Sequence, residues 1–300
     1  MEILRTPDTR FAVLPGFPYA PRYINDLPGF AGLRLHYIDE GPANAREVYL
    51  CLHGEPTWAY LFRRMIPTFV GAGARVVAPD FFGFGRSDKP DDQWFYTFTR
   101  HRDTLLRFIE RLELKGMILV CQDWGGLLGL TVPMTMPDRF AGLLAMNTMF
   151  ATGDRPLTKG FIDWRAWVAK NPDIAAGKLM KRTCPHLTDA EAAAYDAPYP
   201  DIRYKAGVRR FPELVPATPD ADGAALSRTA RDWFRDQWQG QTFMAIGATD
   251  PVLGPTVMND LAASIRGCAA PHLAPEAGHF VQEWGEDIAR RAVQAFGHAR

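Results

Sequence analysis

The stretch VCQDWGG, residues 120–126, decides how the rest of the chain is read. It follows an apolar run, Met117-Ile118-Leu119-Val120, and leads into a segment carrying Leu127, Leu128 and Leu130. A short apolar run bounded in this way reads as a buried strand, and the leucine-rich segment after it reads as a helix. Asp123 therefore stands at the sharp turn between the two. Many enzymes place a serine nucleophile at such a turn. Here the position holds a carboxylate, followed at once by a tryptophan.

Working outward, VYLCLHG (48–54), ARVVAPD (74–80), GLLAMNT (142–148) and TFMAIGATD (242–250) join MILVCQD (117–123) as strands buried on both faces. TFTRHRDTLLRFIERLEL (97–114) carries Leu105, Leu106, Ile109 and Leu112 at helical spacing. Such alternation predicts an α/β fold, a mostly parallel central sheet flanked by helices. YINDLPG and LRLHYIDEG, nearer the N-terminus, read as antiparallel edge strands. The alternation stops after about Thr148 and resumes near Gln241. We read 149–218 as an inserted helical cap, 219–240 as a return helix, and 1–148 with 219–300 as the core domain. Within the insertion, LTDAEAAAYDAPYPD (187–201) opens with a cap signal at Thr188-Asp189 and continues in helix formers.

Composition narrows the function. The chain has 300 residues, 47% hydrophobic and 23% charged, with a formal net charge of +0. A neutral balance gives no electrostatic reason to expect a nucleic-acid or anionic-membrane partner. No apolar stretch approaches the ~20 residues of a membrane span. MEILRTPDTRFAVLPG lacks the apolar region of a signal peptide, so a cytoplasmic protein is expected. Cys51, Cys121, Cys184 and Cys268 are widely spaced without a CxxC pair, which argues against a zinc site or a disulfide framework. No HExxH signature is present, and neither a metal nor a cofactor is expected. GFGRSD (83–88) looks superficially like a phosphate loop but lacks the third glycine and reads as a turn.

In open α/β sheets, ligands bind at the carboxyl ends of the strands. His53-Gly54-Glu55, Asp123 and Asp250 all fall at such ends, and His279 lies in a loop before the final helix. The chain order Asp123, Asp250, His279 is that of nucleophile, acid and histidine in α/β-hydrolases. The competing reading of Asp123 is a helix N-cap.

At this point a resemblance covers essentially the whole chain. HGEPTWAYLFRRMIP (53–67), DFFGFGRSDKP (80–90), VCQDWGG, GFIDW (160–164), VRRFPELVP (208–216), GQTFMAIGATDPVLGP (240–255) and EAGHFVQEWGE (276–286) resemble the haloalkane dehalogenase family of α/β-hydrolases, in the subfamily with its acid late in the chain. Cys121 is a small departure from the glycine at the first position of the turn. The resemblance implies hydrolysis of a small halogenated alkane by water to a primary alcohol, halide and a proton. It makes Asp123 the nucleophile, His279 the base and Asp250 the acid behind it. Glu55 and Trp124 would line the oxyanion hole, with the Glu55 side chain orienting the water. Trp124 and Trp164 would bind the halide, and Leu127, Phe161, Phe211, Pro212, Val252 and Leu253 would wall the pocket. Phe150 is a weaker candidate wall. A monomer is expected.

The chemistry suits these residue types. A carboxylate is ionised at pH 7 and can attack a saturated carbon without a base. Histidine is needed only afterwards, to deprotonate the water that hydrolyses the ester. Indole N–H groups are donors without net charge, suited to a departing halide in an apolar cavity. Trp58 and Trp167 read as core aromatics. Asn147 occupies a strand end where some relatives place the acid, but it is neutral. His36, His53, His101, His186, His272 and His298 read as surface or structural, with His53 shaping the oxyanion turn. An epoxide hydrolase shares the triad but needs cap tyrosines, for which Tyr195, Tyr199 and Tyr204 are available. A hydrolase-fold binding protein without turnover is the remaining reading.

Overall fold

The computed structural model describes residues 1–297, so His298 lies outside the described residues. Eight strands form one sheet: β1 (Arg22–Ile24), β2 (Leu35–Glu40), β3 (Val48–Leu52), β4 (Arg75–Pro79), β5 (Met117–Gln122), β6 (Phe140–Met146), β7 (Gln241–Gly247) and β8 (His272–Ala274). Their order is β1-β2-β4-β3-β5-β6-β7-β8. β2 runs antiparallel to β1 and to β4, and every other pairing is parallel. The two N-terminal strands are therefore antiparallel as expected, but only β1 is an edge strand, because β2 pairs with β1 on one side and β4 on the other. β3 and β5 are buried at every residue, which is why both read as unbroken apolar runs.

This order positions the site. The chain steps from β3 outward to β4, then returns to the other side of β3 to lay down β5. That reversal opens a crevice at the carboxyl ends of β3 and β5. Glu55 follows β3 and Asp123 follows β5, so the reversal brings them together.

The described residues also form ten α-helices, besides short 3-10 turns and a two-stranded pairing of 3–4 with 89–90: α1 (Ile66–Gly71), α2 (Phe98–Arg111), α3 (Trp124–Gly129), α4 (Lys159–Lys170), α5 (Ala176–Thr183), α6 (Asp189–Ala194), α7 (Ala206–Leu214), α8 (Ala224–Asp236), α9 (Pro255–Ala263) and α10 (Gly285–Gly297). α2 begins where the Thr97 side chain accepts the Arg100 N–H and buries Leu105, Phe108 and Ile109. It stops earlier than 97–114 predicts, because Glu113 takes a left-handed φ of 51°. α6 starts with a capping box. Thr188 Oγ1 accepts the Glu191 N–H at 3.2 Å, and Glu191 Oε2 accepts the Thr188 N–H at 2.9 Å.

α6 is anchored to the core by a buried ion network. Arg63 donates to both carboxylate oxygens of Glu283, at 2.7 and 2.8 Å, and to Glu191 at 3.1 Å. Tyr195 donates its hydroxyl to Glu283, and Trp58 donates its indole N–H to the Ala194 carbonyl at 3.2 Å.

Candidate active site

Asp123 is held at φ 49° and ψ −126°, a backbone that a non-glycine residue rarely adopts. The turn is tight because glycines let α3 start directly against the sheet. A Cβ on Gly125 would collide with the Leu52 carbonyl, and one on Gly126 would collide with the Thr148 side chain. Asp123 sits at the N-cap position of α3, yet its side chain caps nothing. This removes the N-cap reading. Instead its Oδ1 accepts the Glu55 backbone N–H at 2.9 Å. Gly54 makes that approach possible, since a Cβ there would run into the Asp123 side chain. The Trp124 N–H, named above as the second oxyanion donor, is not hydrogen-bonded to Asp123 in this structure.

His279 lies behind the nucleophile. Its Nε2 is 3.5 Å from Asp123 Oδ2, and its Nδ1 is 2.8 Å from Asp250 Oδ2. The Asp250 side chain is fully buried. It accepts the Val252 N–H at 2.8 Å through Oδ1 and the Asn147 amide at 2.8 Å through Oδ2. Burial by itself would raise the Asp250 carboxyl. The His279 charge and hydrogen bonds from His279, Asn147 and Val252 overcome it and hold the group at about 2. Burial would likewise lower the His279 imidazole. The Asp250 charge, the contacts with both carboxylates and the Asp123 charge outweigh it and lift the ring to about 10. Asn147 is therefore a partner of the acid at the strand end where its own neutrality had set it aside. Its Oδ1 also accepts the Gly247 N–H at 2.8 Å, tying β6 to β7 beneath Asp250.

A cavity of about 420 Å³ opens over these groups. Glu55, Asp123, Trp124, Asp250, Val252 and His279 line it from the core, and Phe161, Trp164 and Trp167 line it from α4, with Pro212 from α7. Burial raises the Glu55 carboxyl well above the usual carboxylate range, and the Asp123 charge adds to it. His279 and the Trp164 side chain act in the opposite direction. Glu55 Oε1 is buried without a protein partner.

The remaining wall candidates are placed differently. Leu127 and Leu253 line an adjacent cavity of about 250 Å³, together with Phe150, which shares Asp123 and Phe161 with the first. Phe211 lines neither. It is 1% exposed and packs on the Trp124 ring at 4.6 Å between centroids, so it props the tryptophan from behind. Trp58 is fully buried, whereas Trp167 is 38% exposed and stacks on Trp164 at 5.4 Å. Trp167 is thus a cavity residue rather than a core aromatic. No tyrosine lines either cavity. The Tyr195 hydroxyl is spent on Glu283, and the Tyr199 hydroxyl donates to the Pro56 carbonyl at 3.2 Å.

Among the described residues, no histidine other than His279 lines either cavity. His53 is buried. Its Nδ1 contacts the Gly54 carbonyl at 2.9 Å, and its Nε2 accepts the Phe81 N–H at 3.0 Å, which braces the loop carrying Glu55. His36 pairs with buried Asp80 at 2.7 Å. Among the described residues no cluster of His, Cys, Asp and Glu could hold a metal, and no helix is long and apolar enough to cross a membrane. Gln122 is a site residue that no sequence motif marks. Its Nε2 lies 3.0 Å from His279 Nε2 and 3.1 Å from the His279 carbonyl. The available signal was a polar residue closing an otherwise apolar strand.

Residues 48–286 match the family model described as alpha/beta hydrolase fold. The chain is 44% identical to a haloalkane dehalogenase of Psychrobacter cryohalolentis, covering 98% of each chain. It is 42% identical to one of Mycobacterium marinum, covering 98% of this chain and 99% of that one. The solved structure of haloalkane dehalogenase DpaA from Paraglaciecola agarilytica NO2, described as tetrameric, superposes with a TM-score of 0.97 at 48% identity. That match covers 98% of this chain and 99% of the other. With likeness of this extent in both sequence and structure, the chain belongs to the haloalkane dehalogenase family of the α/β-hydrolase fold, hydrolases that act on carbon–halide bonds.

Proposed function

We infer that the chain hydrolyses small haloalkanes through a covalent ester on Asp123. The observation that carries this is a carboxylate in the nucleophile turn, backed by His279–Asp250 and facing a cavity walled by Trp124, Phe161 and Trp164. One Asp123 oxygen attacks the carbon bearing the halogen, the carbon–halogen bond breaks with its electron pair, and halide leaves. Trp124 and Trp164 supply indole N–H groups for that ion. His279 then takes a proton from water, and the resulting hydroxide attacks the Asp123 carboxyl carbon. The Glu55 N–H stabilises the oxyanion, and the unpartnered Glu55 carboxyl oxygen offers the water a place. Collapse releases the alcohol and restores the carboxylate, while the proton on His279 passes to solvent.

The charge balance favours this order. While Asp123 is ionised it helps to lift His279 towards its protonated form. Once Asp123 is an ester that charge is gone, and the imidazole moves towards the neutral form that a base requires. Residues 149–218 act as the cap that closes the cavity. The absence of tyrosines from both cavities speaks against the epoxide hydrolase. In oligomeric state, likeness to tetrameric DpaA supports an assembly of four copies in place of the expected monomer, and sedimentation equilibrium decides between them. The function is tested by following halide and acid release from 1,2-dibromoethane and 1-bromobutane, with styrene oxide alongside. Asp123→Ala is expected to keep its fold and release no halide. A folded Asp123→Ala protein with normal release would overturn the mechanism.

A further inference from the structure

Gln122 ends β5 and is fully buried, directly before the nucleophile. Its amide nitrogen lies 3.1 Å from the His279 main-chain oxygen. A carbonyl oxygen only accepts, so the Gln122 atom facing it is the NH2 group. The flipped amide would set two acceptors against each other in a buried site, which is costly. This choice also settles what faces the ring. The same nitrogen lies 3.0 Å from His279 Nε2, so Nε2 meets a donor and must present its lone pair. The proton of the neutral ring then sits on Nδ1, where Asp250 Oδ2 accepts it at 2.8 Å.

We propose that Gln122 is a positioning residue for ester hydrolysis, whose amide N–H favours neutral His279 with its proton on Nδ1 and an unprotonated Nε2. The inference rests on the reading of His279 as the base. An imidazolium would point its Nε2–H at the amide hydrogens, so Gln122 opposes the charged ring. The groups that act on the ring from elsewhere are Asp250 at Nδ1 and Asp123 at Nε2, with Glu55 across the cavity. Asp163 on α4 and Arg182 on α5 also line this cavity. The carboxylates favour the charged form. When Asp123 becomes an ester, its pull disappears and the Gln122 contact weighs more. The water takes over the Nε2 lone pair as it reacts, and the second amide hydrogen stays on the His279 carbonyl, which keeps the loop in place.

The test is the single-turnover rate of ester hydrolysis against pH, with 1-bromobutane as substrate, in wild type, Gln122→Met and His279→Gln. The rate requires a neutral base and so rises with pH to a plateau. In Gln122→Met the halide burst is expected to form, with the acid limb moved up by about one pH unit and hydrolysis on that limb about tenfold slower. A lower plateau with an unmoved limb would mean that Gln122 only packs, and would overturn the proposal. Should Gln122→Met fail to fold, Gln122→Leu takes its place, and ¹⁵N-histidine spectra of the wild type, assigned with His279→Gln, check the ring tautomer on which the proposal stands. Neutral His279 is expected to carry its proton on Nδ1, and a proton on Nε2 overturns the proposal. If His279→Gln hydrolyses the ester at the wild-type rate, the reading of the base itself has failed. If it traps the ester while Gln122→Met leaves the limb unmoved, only the role of Gln122 has failed.

Discussion

His279 Nε2 stands 3.5 Å from Asp123 Oδ2, longer than a good hydrogen bond. The nucleophile therefore keeps a lone pair free for substrate, and the histidine is not needed to activate it. His279→Gln is expected to release about one halide per active site and then stop, with an alkyl adduct on the peptide containing VCQDWGG. Loss of a general base typically costs ~10²–10⁴-fold, so hydrolysis should lag far behind ester formation. Mass spectrometry of quenched protein checks this. Absence of both the burst and the adduct with a brominated alkane would mean that His279 is already needed in the first step.

Asp250→Asn acts on the same half-reaction through the ring's tautomer. An asparagine at this position can offer the Nδ1–H of His279 an amide hydrogen instead of an acceptor. By analogy with the corresponding change in a serine triad, turnover should fall by up to about 10⁴-fold while the halide burst survives. Quenched-flow measurement of halide and alcohol separates the two steps.

The Asp250 carboxyl also links folding to pH. Its folded value of about 2 lies below the ordinary 3.8, so the stabilisation is present above 3.8 and is lost as pH falls through about 2. The gap corresponds to something on the order of 2 kcal/mol. His279 has the opposite sign. Its stabilisation is complete below the ordinary 6.5 and is lost as pH rises through about 10. Urea denaturation at stepped pH should show wild type losing stability in acid over that window. Asp250→Asn should lose less, and equal slopes in the two proteins would contradict the assignment.

Trp164 faces the cavity from α4 and is stacked on Trp167. Adding bromide or iodide is expected to change tryptophan fluorescence saturably, and Trp164→Phe should weaken that response. Carbon–halogen cleavage should slow by at most about 10²–10³-fold, the cost of one oxyanion donor. An unchanged titration would transfer the second donor to Trp167.

Arg63 and Glu283 are 2% and 0% exposed in their side chains, which makes their pairing a matter of stability. Breaking a buried pair strands the remaining charge, at about 3–5 kcal/mol. Arg64 still reaches Glu283 Oε2 at 3.1 Å, so Arg63→Ala should cost the lower end of that range. Because Arg63 also holds Glu191 on α6, the loss should loosen α6 first. Hydrogen exchange of 189–194 against that of β5 would test this, and uniform loss of protection would argue against a separate α6 event.

Much of the site is legible in the residues themselves. The apolar run before Asp123, the glycines after it and the order Asp123, Asp250, His279 state both the strand-end location and the chemistry, because local periodicity and chain order survive in one dimension. Tertiary structure decided what local pattern cannot carry. Phe211 and Pro212 are neighbours on α7, yet one props Trp124 and the other lines the cavity. Successive helix residues point about 100° apart, so only the rotation of α7 against the core chooses between them. Leu127 on α3 and Leu253 in the turn before α9 line a second cavity, a placement that also depends on how distant elements pack. Asn147 and Gln122 look like ordinary strand-end polars until β7 and the His279 loop close over them. Their partners lie 103 and 157 residues away, and only the folded sheet brings such distant groups within hydrogen-bond length.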